Sequence, residues 1–98
     1  MMNTHRFVTM NATYRVAGIA LHENHILLKR WGSTWSLLES LVRPHEEARE
    51  VLRRTMSREL GTEVCAGRML GVLEDTLGVG RSPSRTMTFC YQVTFDPP

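Results

Sequence analysis

Most of the chain carries short apolar runs or alternation of period two, and a single stretch has the period of a helix. "YRVAGIALH", residues 14–22, is rich in apolar and β-branched side chains and predicts a strand. Residues 23–25, "ENH", follow as a turn, with Asn24 suited to a left-handed backbone. "ILLKR", 26–30, then predicts the return strand of a hairpin. "WGSTW" sets turn residues between two tryptophans, and "SLLESLVRP" runs on irregularly to Pro44.

From Glu47 to Leu60 the period changes. Ala48, Val51, Leu52, Met56 and Leu60 share one stripe, which predicts a helix. Pro44 lies upstream, Glu46 and Glu47 suit the positive end of that helix, and Gly61 is placed to cap its other end. Beyond it, "EVCAGRMLGVLE", 63–74, reads as a strand interrupted at Gly67 and Gly71. "LGVGRSPS" reads as a loop, and "RTMTFCYQVTF", 85–95, as a further strand. Residues 1–12 are a patternless lead-in and 13–98 form one domain.

The order strand, strand, helix, strand, strand predicts an α+β fold: a mixed β-sheet with the helix on one face. One helix leaves the other face to be solvated, covered by a partner or left bare, and a bare apolar face favours a homodimer or poor solubility. No apolar run is long enough to span a bilayer, so no membrane association is expected. Residues 1–15 lack the apolar core of a signal peptide, which makes a cytoplasmic location the expectation. Cys65 and Cys90 have no ligand-spaced companions, which argues against zinc, and both are expected as buried thiols. Net charge is +2, with eleven arginines against the single Lys29. Arg49, Arg53, Arg54 and Arg58 crowd the helix, but Glu46, Glu47 and Glu50 are interspersed, so a nucleic-acid partner is not expected.

One carboxylate stands out. At 100° per residue, Thr55 and Glu59 fall inside the apolar stripe, near Ala48 and Leu52. Glu59 also sits in the last turn, where the helix dipole repels anions. Such a group needs an arginine from a neighbouring strand, a metal, or a swing to the stripe's edge and water.

With its flanks, the helix resembles the signature of Nudix hydrolases, G-x5-E-x7-R-E-U-x-E-E-x-G-U, where U is aliphatic. Aligned over residues 40–62, Glu46, Arg54, Glu59 and Gly61 match, while Ser40, Thr55 and Arg58 replace a glycine and two glutamates. "RVAGIALHENHILLKR" is similar to the family's opening hairpin, "WSLLES" to its W-x-L-P-G-G, and "GTEVCAGRMLGVLED" and "SRTMTFCYQVTF" to the strands that follow. The resemblance spans residues 14–95 and implies an incomplete α/β/α Nudix-type sandwich, since such domains continue through further strands and a second helix.

It also implies an activity: hydrolysis of a nucleoside diphosphate linked to another moiety, with magnesium or manganese bridging the diphosphate. Carried over by position, Glu59, Glu46 and Arg54 are the candidate catalytic residues, with Glu46 and Arg54 as a supporting pair. Glu59, Glu46 and Glu74 are the candidate metal ligands, and Arg30 and Arg58 candidate contacts to a nucleotide-type small molecule. With two helix acids replaced, hydrolysis is expected to be weak or lost. The alternative is a Nudix-fold binding or interaction module in which Arg58 supplies the missing positive charge. Glu39, Ser40 and His45 stand where the family has small glycines, so the loop before the helix is expected to depart from its usual path.

Overall fold

The computed structural model describes residues 4–7, 11–77 and 84–95. The long strand β1 (Asn11–His22) is the spine of a five-stranded sheet. A two-residue turn, with Glu23 and Asn24 at φ of 49° and 63°, returns the chain into β2 (His25–Ile26). Positive φ at both central residues matches the twist of the flanking strands, and Asn24 suits it.

The return strand does not run on as "ILLKR" suggests. Leu27 still donates its N–H to the Ala20 carbonyl at 3.0 Å, but Leu27 and Leu28 lie outside any strand. Lys29–Trp31 (β3) instead pairs with Thr34–Ser36 (β4) in a separate two-stranded ribbon, turned at Gly32 with φ 56°. Leu38–Val42, expected to be irregular, is a strand (β5) running antiparallel to β1 from Tyr14↔Val42 to Gly18↔Leu38. Leu38 and Val42 are buried while Glu39 and Leu41 are exposed, so the alternation is real although Ser40 blurs it.

After the helix α1 (Ala48–Leu60), β6 (Val64–Leu77) and β7 (Ser84–Phe95) form a long antiparallel pair. β7 inserts parallel to β1, from Asn11↔Ser84 to Ala20↔Val93. β1 is thus flanked by β7 on one edge and by β5 and β2 on the other, and β6 is an outer strand. The sheet is mixed and, among the described residues, carries one helix, on one face: an α+β architecture.

The core is what α1 covers. Val16 and Ala20 of β1, Leu38 and Val42 of β5, Tyr91 and Val93 of β7, and Val64 of β6 meet Val51, Leu52 and Met56. Gly18 sits beneath the helix, where a β-carbon would collide with the Met56 sulfur and press on Val93. Its lack of a side chain lets α1 approach the sheet closely. Thr55 is 9% exposed, so the stripe does bury it.

Away from α1 the sheet is open. Met69, Leu70, Val72 and Leu73 of β6 and Leu21 and Leu41 elsewhere are exposed. The radius of gyration is 17.1 Å, against about 13 Å for a compact chain of this length. On the face opposite α1, Ala17 is fully buried between its register partners Glu39 and Cys90. Cys90 is a buried thiol, its pKa raised by burial and then by the Glu39 charge. Cys65 is exposed, contrary to expectation, because strand alternation turns it to the face opposite its core-facing neighbours Val64 and Ala66. Among the described residues, no helix is long and apolar enough to cross a membrane.

Candidate functional site

The two ends of α1 each present a carboxylate, and the fold treats them differently. At the first end, the loop from Arg43 turns tightly: Glu46 donates its N–H to the Arg43 carbonyl at 3.1 Å. The Glu46 side chain answers. Its Oε1 accepts the Arg43 N–H at 2.9 Å, and its Oε2 accepts Arg54 Nη2 at 3.2 Å, two turns further along the helix. The Arg43 N–H chiefly holds the Glu46 carboxyl below the ordinary carboxylate range; burial opposes this and Arg54 reinforces it. One side chain therefore ties loop to helix.

His45, in that loop, has φ 65°. It adopts the left-handed conformation a glycine would take freely, at a cost of about 1–2 kcal/mol for a residue with a β-carbon. The loop thus turns here with a side chain at that position, while Glu39 and Ser40 are absorbed into β5. Glu47 holds the N-cap position with extended backbone (φ −87°, ψ 124°) and no side-chain cap bond.

At the other end, Gly61 caps α1 in the left-handed region, φ 69°, donating its N–H to the Ser57 carbonyl at 2.9 Å. Glu59 has found its cation. Lys29 Nζ, reaching from β3, lies 2.7 Å from Glu59 Oε1, and both side chains are about one-third exposed (34% and 32%). The pair stands in a cleft of about 320 Å³ whose apolar lining is Leu27, Leu28, Leu38 and Leu60. Lys29 Nζ is also 4.7 Å from the ring centre of Trp31, which is largely exposed.

The remaining candidates disperse. Thr55 is packed against the sheet and Arg58 is exposed, with no ion pair among the described residues. Arg30 folds back onto its own ribbon, donating Nε–H to the Gly32 carbonyl at 2.6 Å and lying 5.7 Å from the Trp35 ring centre. Glu74 pairs with Arg85 at 3.2 Å across β6 and β7. Arg53 is bound by Glu50 at 2.7 Å, which lowers the Glu50 pKa and raises that of Arg53.

Magnesium or manganese asks for about six oxygens, several of them anionic. Among the described residues, no three of the His, Cys, Asp and Glu side chains come together in a group that could hold a metal. Glu59, Glu46 and Glu74 are therefore not assembled into one site. Glu59 already holds an ammonium, and the turn beside it offers an arginine and a buried threonine. The donor set does not fit such an ion. Lys29 is the residue that sequence reasoning missed. Its signal was available: it is the single lysine of the chain, at the end of an apolar run, but its partner is thirty residues away.

No protein-family model matches the chain, and no curated protein matches it. Solved structures do. The solution structure of the ORF135 protein of E. coli is 24% identical, with a TM-score of 0.61, over 84% of this chain and 61% of that one. A NUDIX hydrolase from Nitrosomonas europaea is 22% identical, with a TM-score of 0.59, over 89% of this chain and 63% of that one. The chain thus spans less than two thirds of the length of either. At this level of identity the likeness speaks for architecture, and it agrees with the mixed sheet and the helix α1 on it: the chain has a Nudix-like fold.

Proposed function

We propose that the chain is a Nudix-fold module that binds the diphosphate of a nucleotide-type small molecule at the Lys29–Glu59 cleft without a divalent metal. The observation that carries this reading is the 2.7 Å contact between Lys29 Nζ and Glu59 Oε1. An ammonium has three donors, and Glu59 accepts one of them. The others remain for phosphate oxygens, and Arg58 adds positive potential beside Glu59. Within the lining Lys29 balances the one carboxylate, and Arg58, next to Glu59 in sequence but outside that lining, tips the surrounding surface towards an anion. The cleft's leucine lining suits an apolar group of the ligand, and the exposed ring of Trp31 beside Lys29 offers a face for a base. In this reading Lys29, rather than Arg58, supplies the charge that a metal gives other Nudix domains.

A second reading is metal-dependent hydrolysis at a reduced rate. It is favoured by the Glu46–Arg54 contact, which keeps the supporting pair of the signature. It needs Glu59 free of Lys29.

One titration separates the two. Adding ADP in the presence of excess chelator should change tryptophan fluorescence, and Lys29→Met should weaken binding at least about tenfold, the loss expected for a charge-assisted phosphate contact. An ion pair about one-third exposed contributes roughly 1 kcal/mol or less, so this variant stays folded, which circular dichroism checks. Binding that appears only with manganese and disappears in Glu59→Gln would replace this reading with the second.

A further inference from the structure

The outer strand β6 has β7 on one side and, among the described residues, no strand on the other. Its middle reads Arg68, Met69, Leu70, Gly71, Val72, Leu73, Glu74. Charge and apolarity in this segment are symmetric about Gly71 with the sign of charge reversed. Turned end for end against itself, it sets Arg68 opposite Glu74, Met69 opposite Leu73, Leu70 opposite Val72, and Gly71 opposite itself. We infer that β6 is an interface between two copies of this chain, paired antiparallel about a two-fold axis at Gly71.

Three observations support this. All four apolar residues are exposed, from 42% at Val72 to 60% at Leu73, which is costly for a strand edge left in water. The charged ends are available: Arg68 makes no ion pair among the described residues, and Glu74 is half exposed with one oxygen on Arg85. Among the described residues, Gly71 has nothing within 4 Å of where a β-carbon would stand. The chain's own packing therefore does not demand a glycine there, whereas close approach of a second backbone gives it a use.

Each dimer contains the Arg68–Glu74 pair twice, because a two-fold interface is self-complementary. β6 changes register against β7 between Ala66 and Met69 and again between Met69 and Gly71. Such bulges sharpen the twist and locally disrupt the ladder, and the second falls inside the paired segment, which weakens the pairing. Seven paired residues bury less than the roughly 1,200 Å² of a standard interface, so the association is weak and concentration-dependent.

Sedimentation velocity over a series reaching millimolar protein tests the arrangement. The wild-type chain should shift from monomer towards dimer. Arg68→Glu and Glu74→Arg should each weaken dimerisation about tenfold, since each sets two like-charged pairs directly opposite. The double swap should restore it, which also shows that the single variants failed for electrostatic reasons and not through misfolding. A monomer at every concentration overturns the inference. So does a dimer indifferent to both single swaps, which places the contact elsewhere, or a double swap that does not recover.

Discussion

The two ends of α1 hold their carboxylates by different means. Glu46 is held by neighbours: a backbone N–H three residues before it and an arginine eight residues after it. Glu59 is held by a lysine thirty residues away, delivered by a ribbon that belongs to neither the sheet nor the helix. The first end is a local latch that forms when the loop and helix form. The second exists only after the whole core has assembled, and so its geometry depends on the packing of α1 over the sheet. One end of α1 is therefore fixed by its own segment, while the other depends on a residue brought from elsewhere in the chain.

The largest effect should come from breaking that dependence. Met56 is fully buried between the helix and Gly18. Met56→Ala should cost about 2–5 kcal/mol, read by urea unfolding, and should remove the fluorescence response at the Lys29 cleft together with the fold. The next concerns the latch alone. His45→Gly should raise stability by about 0.5–1 kcal/mol, the relief of left-handed strain less the added chain entropy of glycine. A loss on that substitution would mean that the His45 side chain holds the loop.

The smallest effect is on pH dependence. The folded-state pKa of Glu46 lies below the ordinary value of 4.5. Its contribution to stability is therefore complete above about pH 4.5 and is lost as pH falls through the lower, folded value. Glu46→Gln should flatten the acid side of a plot of Tm against pH below 4.5 while leaving the neutral plateau nearly parallel. An unchanged acid slope would assign that slope to other groups, with Glu50 the first to test, since Arg53 holds its carboxyl down in the same way.

What the sequence made legible follows the same division between near and far. The helix and its Gly61 cap were readable because period, cap residue and end charges lie within one short segment. Thr55 and Glu59 could be placed on the stripe by angle alone, and Thr55 is indeed buried. β5 was not readable: Ser40 and Glu39 dilute its alternation, and its pairing with β1 is what makes it a strand. The ribbon of β3 and β4 was hidden because "ILLKR" has enough apolar character to continue a hairpin, and no local feature marks the break after Ile26. The Lys29–Glu59 pair inherits that difficulty, since it joins the least legible element to the most legible one.

The parallel pairing of β1 with β7 has a consequence for how the molecule forms. Its partners, from Asn11↔Ser84 to Ala20↔Val93, are 73 residues apart along the chain. Closing so large a loop comes before any reward from the contacts it brings, which slows folding. On the ribosome, β1, β5 and α1 emerge well before β7, which supplies Tyr91 and Val93 to their common core. Until it arrives, the half-built sheet exposes β1 along the edge that β7 will take. The spine of the molecule is thus a late kinetic event, and the interval before it is when the nascent chain is most open to mispairing.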